Sequence, residues 1–302
     1  MTDRIGREHY IFDMNKAHPP ALSTLQGANV QFQTYDAFLN QITSEDSEMT
    51  TIDWEKVNPA TGPLYVKGTK PGDILQVDIE RILFQDEGTI VTGEELGAMG
   101  HRLEGFSIKK VKIANNNVHL NDTLTIPVHP MIGVIGVAPA NEGVPCGTPD
   151  AHGGNMDTRL ITEGATVHFP VFQEGALLAM GDVHAAMGDG EVCVSGVEVS
   201  ADITVNVDAH QRFQLNYPLL ENKEGIATLV SKKTLDEAAT AAVEEMVELL
   251  ISLQPDLTIE ETTMVLSAAG SLEISQVVDP LKTCRCFINH EVLEGLGIDT
   301  FN

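Results

Sequence analysis

Ser231-Lys-Lys-Thr234-Leu-Asp-Glu237-Ala238-Ala-Thr-Ala-Ala242-Val-Glu-Glu-Met246 is where this 302-residue chain changes character. Thr234 and Glu237 form a capping box, in which the hydroxyl and the carboxylate each satisfy a backbone N–H orphaned at a helix start. Behind it Leu235, Ala238, Ala242, Met246, Leu249 and Leu253 recur at helical spacing until Pro255. A second box, Thr258-Ile-Glu-Glu261, predicts a shorter helix through about Ala269, stopped by Gly270. Strands are expected near Leu272–Val278 and Arg285–Ile288. Neither helix carries a charged stripe suited to a ligand, so both read as packing elements.

Upstream of Ser231 the period is two. Val30-Gln-Phe32-Gln-Thr34-Tyr alternates apolar and polar, and Ile74 to Ile82 does so after the turn signal Lys70-Pro-Gly-Asp73. Val111–Ile113 and Thr123–Ile126 read as short strands around Asn115-Asn-Asn117. Met131 to Val137 is almost wholly apolar and reads as a fully buried strand. Thr166–Phe172, Ala176–Met180 and Val192–Val207 continue the series, while 42–52 and 85–105 look like surface excursions. Strands grouped early and helices late predict a mainly β protein, an all-β body with an appended C-terminal α+β portion. The expected division is 1–220 and 221–302. No regular β-α-β alternation supports a doubly wound nucleotide fold.

Bulk composition narrows the function. Eighteen Lys and Arg against 44 Asp and Glu give a formal charge of −26, which repels phosphate backbones and argues against nucleic acid. No apolar run approaches the roughly 20 residues that span a bilayer. The start, Met-Thr-Asp-Arg-Ile-Gly-Arg, has no signal-peptide core. Four cysteines make no disulfide framework, and Cys284 and Cys286 point in parallel from one strand face; reduced thiols in a cytoplasmic protein are expected.

The chemistry concentrates between His152 and Glu198. Asp182 and His184 are two apart at a strand end and share a face, which makes half of a metal site or an acid–base pair. The glycine-bearing turn after them can bring Asp189 and Glu191 back toward His184, unless both are solvated turn residues. Glu198 falls out of phase with Glu191 in a regular strand, although a bulge at Gly196 would reverse that. In Gly153-Gly-Asn155-Met-Asp157 the Asn and Asp share a face, for a ligand or for an Asx turn. Asp36 ends a strand, where a lone carboxylate is usually a cap. His18 and His129 each precede proline and read as structural. Gly-x-Ser-x-Gly, His-Glu-x-x-His and the phosphate-loop pattern are all missing, which leaves metal-assisted or carboxylate chemistry.

Asn58-Pro-Ala-Thr-Gly-Pro63, Pro71-Gly-Asp73, Pro130-Met-Ile-Gly-Val-Ile-Gly-Val-Ala-Pro139 and His152-Gly-Gly-Asn-Met-Asp157 occur in order. Pro170-Val171, Glu174-Gly-Ala176 and Gly181-Asp-Val-His-Ala-Ala-Met-Gly-Asp-Gly-Glu191 follow them. As a set they resemble the acetamidase/formamidase family over roughly residues 10 to 290. The resemblance implies hydrolysis of formamide- or acetamide-like substrates to carboxylate and ammonia. It also implies a β-sandwich-type body, a divalent metal and a homodimer or higher homo-oligomer. It carries Asp157, Asp182, His184 and Glu191 over as metal-site or catalytic residues, and Asp36 with them. Asp182 and His184 would hold the metal with Asp157 and Asp36, Glu191 would move a proton, and Asn155 would orient the small neutral amide. Oxygen donors with one imidazole suit Zn²⁺, with Ca²⁺ or Mn²⁺ as alternatives or companions. Gly270-Ser271 departs from the family's Gly-Asp. Hydrolysis of another linear amide or a lactam, or metal binding without turnover, are the rival expectations.

Overall fold

The strand Ile74–Phe84 turns alternation into architecture. Leu75, Val77 and Ile79 are buried, while Gln76 and Asp78 between them are half-buried. In this computed structural model, which describes residues 2–299, the strand pairs antiparallel with Ala201–His210 on one side and Thr166–Pro170 on the other. A nine-stranded sheet grows from it. Ala28–Gln33 and Asp3–Ile5 extend one side; Leu219–Glu221, Gly225–Lys232, Lys282–Asn289 and Ser271–Gln276 extend the other.

A second, eleven-stranded sheet centres on Ala176–His184, whose nine residues are all buried. That strand lies between Met131–Gly136 on one edge and Ala60–Val66 followed by Glu198–Val199 on the other. Phe32, Val77 and Phe169 of the first sheet share one core with Leu64, Ile132 and Val183 of the second. The body is therefore two sheets packed on each other, and the protein is mainly β as expected, with helices at the C-terminal end.

The helix Leu235–Leu253 starts at Thr234 with both halves of its capping box formed, and Ile259–Ala269 repeats the device at Thr258. The longer helix buries Ala238, Ala242, Met246, Leu249 and Leu250 against Ile226, Val230, Cys284, Cys286 and Ile288. Gly225–Lys232 is thus covered on both faces, since its Ala227 and Leu229 face the sandwich core. Full burial of a side chain such as Met246 contributes about 1.5–3 kcal/mol. Thr228, the polar residue on the helix side, donates its hydroxyl to Ala242 O at 2.7 Å. All four cysteines are free thiols, three of them buried. No helix among the described residues is long and apolar enough to cross a membrane.

Several local expectations change. Residues 85–105 hold a strand, Glu87–Gly93, that pairs with Phe106–Ala114 and touches Glu198. Its Gly88 lies where a Cβ would be 2.6 Å from Val197 Cγ1, so a packed strand reads in sequence as a glycine loop. In 42–52, Ile42 and Ile52 pack with Phe38 and Val91 instead of standing on the surface. The stretch 192–207 is not one strand: Val194, at φ +85°, breaks it, and pairing resumes only at Glu198–Val199 and Ala201–His210. The hairpin after Phe106–Ala114 returns through Asn117–His119, which then pairs with Thr125–Pro127. A third helix, His290–Gly295, is capped by Asn289.

Candidate metal centre

Three short stretches converge on the buried end of the strand Ala176–His184. The strand itself supplies Asp182 and His184. Gly153–Asn155, paired to Met131–Gly136, leads into Asp157. The turn Gly188–Glu191 and the strand Glu198–Val199 supply two further carboxyls. Gly133 allows the first two to meet: a Cβ there would sit 2.5 Å from Asp157 Oδ1 and 2.6 Å from Asp182 Oδ2. Gly196 lies over the imidazole, where a Cβ would be 2.6 Å from His184 Cγ and Nδ1. The backbone is bent to aim these groups. Asp157, Asp182 and Glu191 have φ of +40°, +53° and +45°, left-handed conformations costing of order 1–3 kcal/mol each outside glycine.

His184 Nε2 lies 3.1 Å from Glu198 Oε1, 3.4 Å from Asp182 Oδ1 and 3.9 Å from Glu191 Oε1. None of these approaches is aligned as a hydrogen bond, and both ring nitrogens are buried without a partner. Both oxygens of Asp157 and one each of Asp182, Glu191, Glu198, Asp279 and Asn155 are orphaned in the same way. Isolated buried polar atoms each cost several kcal/mol by transfer scales of roughly 2–7 kcal/mol, so an accumulation here calls for a ligand.

The electrostatics agree. Burial, then the charge of Asp182, pushes the Asp157 carboxyl up to about 6. Burial raises Glu198 to about 8 against the pull of His184. Glu191 and Asp279 are held well above the carboxylate range by burial and by the charge of Asp157. Burial alone would lower His184, but Glu198 and Asp182 carry it well above its ordinary value. Five carboxyls around one imidazole cannot all be ionised in a dry site without a cation or shared protons. Asp157, His184 and Glu191 form one set whose ligand atoms lie within 4.8 Å of one another, and Asp182, His184 and Glu198 form another. Carboxylate oxygens with one imidazole nitrogen fit a divalent cation.

A cavity of about 120 Å³ opens on this cluster. Its floor is Asn155, Asp182, Glu191, Glu198 and Asp279, and its walls include Phe38, Trp54, Val57, Leu96 and Val194. Asn155 donates Nδ2 to Asp279 Oδ1 at 3.2 Å, which leaves its own Oδ1 without a partner.

Of the residues singled out in sequence, Asn155, Asp157, Asp182, His184 and Glu191 come together. Asp36 stands apart: its Oδ1 accepts from Phe38 N at 3.0 Å and Asn40 N at 2.6 Å, the cap arrangement, and it belongs to neither ligand set. It borders a separate polar cavity of about 260 Å³ whose wall includes Glu198. Glu198 itself corrects the parity argument. It is the direct cross-strand partner of His184, so the two share a face, and the turn at Val194 removes the seven-residue count along a single strand. Asp189 turns away to Arg285. His152 is buried with both ring nitrogens unpartnered but does not line the small cavity. Ser271 is exposed at the head of an edge strand, outside the cavity wall. Sequence reading missed Asp279. Val278-Asp279-Pro280 reads as a turn, and its neighbours come from more than a hundred residues upstream.

The solved structures give the same outline. A predicted acetamidase/formamidase of Thermoanaerobacter tengcongensis is 46% identical, covers 99% of both chains and superposes with a TM-score of 0.96. Acetamidase of Bacillus halodurans is 43% identical over 98% of this chain and 100% of that one, also at 0.96. Formamidase of Methylophilus methylotrophus is 23% identical over 68% of this chain and 67% of its own length. The chain spans 62% and 17% of the lengths of two other named relatives that it matches. The sequence profile of the Acetamidase/Formamidase family matches residues 7–146 and 137–292. With both segments matched and the fold shared end to end, this chain belongs to the acetamidase/formamidase family.

Proposed function

We propose that the chain is a metal-dependent hydrolase that converts short-chain amides to carboxylate and ammonia. The observation that carries this reading is the cluster of buried carboxyls beside His184, several with an oxygen left without a partner, at the floor of a small cavity. Its 120 Å³ equals about four waters at roughly 30 Å³ each, far below the roughly 300–1,000 Å³ of a drug-sized site. An amide of a few heavy atoms fits beside one water; a bulky amide does not.

Asp157, Asp182 and His184 would hold the cation, with Glu198 closing the second ligand set and Asp36 supporting it from the neighbouring cavity. Zn²⁺ suits this donor set, with Ca²⁺ or Mn²⁺ as alternatives or companions. When bound, the ion supplies Lewis acidity and brings the pKa of water toward about 7. Glu191, whose carboxyl burial raises well above its ordinary value, would take the proton of the attacking water and return it to the departing nitrogen. The free Oδ1 of Asn155 accepts from the substrate NH₂, oriented because its Nδ2 is tied to Asp279. Phe38, Trp54 and Leu96 bound the acyl side. The reduced thiols support a cytoplasmic setting. Ile259, Met264 and Leu272, all exposed, support self-association as a homodimer or larger homo-oligomer.

Ammonia release by metal-loaded protein from formamide, acetamide and a small lactam tests the reading. Activity on the short linear amides that vanishes in His184→Ala, together with bound metal, is the expected result. Turnover of the lactam alone would move the substrate class. Bound metal without ammonia from any of them would leave a binding protein and overturn the proposal.

A further inference from the structure

Arg285 is a fully buried cation remote in sequence from every candidate ligand. It lies on the strand Lys282–Asn289 with its side chain opposite to Cys284 and Cys286, which face the helices. Its guanidinium grips Asp189 with a planar fork, Nη1 to Oδ1 and Nη2 to Oδ2, both at 2.9 Å. Nε donates to Glu273 Oε2 at 2.6 Å, and Nη1 also reaches Ser275 Oγ at 3.2 Å.

Two arms lead from this group to the metal centre. The first runs through Asp189 to the turn that ends in Glu191. The same turn is hooked to the edge strand by Gly190 N to Ser275 O at 2.8 Å and Val277 N to Gly190 O at 3.1 Å. The second arm runs through Ser275, whose Oγ accepts from Thr158 Oγ1 at 2.9 Å, to the residue after Asp157. Asp157 and Glu191 are two of the three acids of the centre held at positive φ, a conformation that persists only where the surroundings impose it.

We propose that Arg285 is a positioning residue for the reaction: by fixing Asp189 and Ser275 together, it sets where the carboxyls of Glu191 and Asp157 stand. This rests on the amidase reading above. A proton-transfer group must stand within about 2.6–3.2 Å of its target, and a misplacement of about 1 Å can cost ~10²-fold in rate. Lysine would keep the charge at 285 and lose the fork.

The experiment compares wild type, Arg285→Lys, Asp189→Asn and the double variant, each loaded with Co²⁺ or Zn²⁺. Expected are retained metal stoichiometry, a fall in kcat of about 10–100-fold with a smaller change in KM, and a displaced kcat–pH profile. The visible absorption of the Co²⁺ form should shift in each single variant, and the double variant should lose no more than the worse single. Should Arg285→Lys fail to fold, Asp189→Asn carries the test, its side chain being 37% exposed. Unchanged kcat and an unchanged Co²⁺ spectrum in the folded variants, or losses that simply add, would overturn the proposal. A wild type that releases no ammonia would sink the amidase reading instead, and the Co²⁺ spectra would still decide whether Arg285 positions the centre.

Discussion

The centre around His184 and the helix-covered layer around Met246 are both buried, yet they treat polar groups in opposite ways. In the helix layer both capping boxes are formed, and the buried hydroxyls of Thr228 and Thr262 reach the carbonyls of Ala242 and Thr258. Around His184, carboxyls, an amide oxygen and two ring nitrogens are sealed without partners, on backbone bent into left-handed conformations. A fold that can satisfy its polar groups in one layer and leaves them open in another has spent stability in the second for chemistry. Damage in the two regions should therefore look different, and each expectation below can break that contrast.

The largest effect is expected at the centre. Glu191→Gln should lower kcat for a short amide by about 10²–10⁴-fold while Tm changes little, as read by ammonia release and thermal unfolding of the same sample. Met246→Ala should do the reverse. It opens a hole beneath the long helix and should cost about 2–5 kcal/mol in denaturant unfolding, with kcat per folded molecule unchanged.

Next comes pH. In metal-free protein, Asp157 is raised to about 6 and Glu198 to about 8, both above their unfolded values. Between the unfolded and folded pKa values the unfolded chain has given up protons that the folded chain keeps, so stability falls as pH rises. His184 acts in the same direction, since it is raised and its contribution is lost as pH climbs through its folded pKa. Metal-free protein should thus unfold at lower temperature at pH 8 than at pH 5, and added Zn²⁺ should erase the difference or invert it. A flat Tm across that range would remove the claim that the acids are forced together. The smallest effect is Thr234→Ala, which loses one capping box and should cost about 1 kcal/mol with activity intact.

How much was legible follows from how local each cause is. The helix layer was read almost whole, because caps and periodicity are neighbours in sequence. Asp182 and His184 were legible by strand parity, although Asp182 sits at a kink opposite Gly133 that parity does not foresee. Glu198 stayed open in sequence because the left-handed Val194 turns the chain and replaces a count along one strand with a pairing across two. Asp189 offered two readings, ligand or solvated turn; it stands 37% exposed in the turn and pairs with Arg285, 96 residues away. Asp279 carried no signal, since a site assembled by tertiary contact leaves no local pattern. Asp36 was legible as the cap that its hydrogen bonds describe.

The positive φ of the three acids Asp157, Asp182 and Glu191 has a consequence for how such an enzyme could work at all. A very small substrate offers at most about 1.5 kcal/mol of affinity per heavy atom. On the amidase reading it therefore has no remote groups whose binding could pull a loose site into shape. The distortion of Asp157, Asp182 and Glu191 has to be in place before the amide arrives, sustained by the cooperative folding of two large sheets. The extensive body around a 120 Å³ cavity is then the energy source for organising it, and trimming the scaffold should erode turnover well before it erodes the fold.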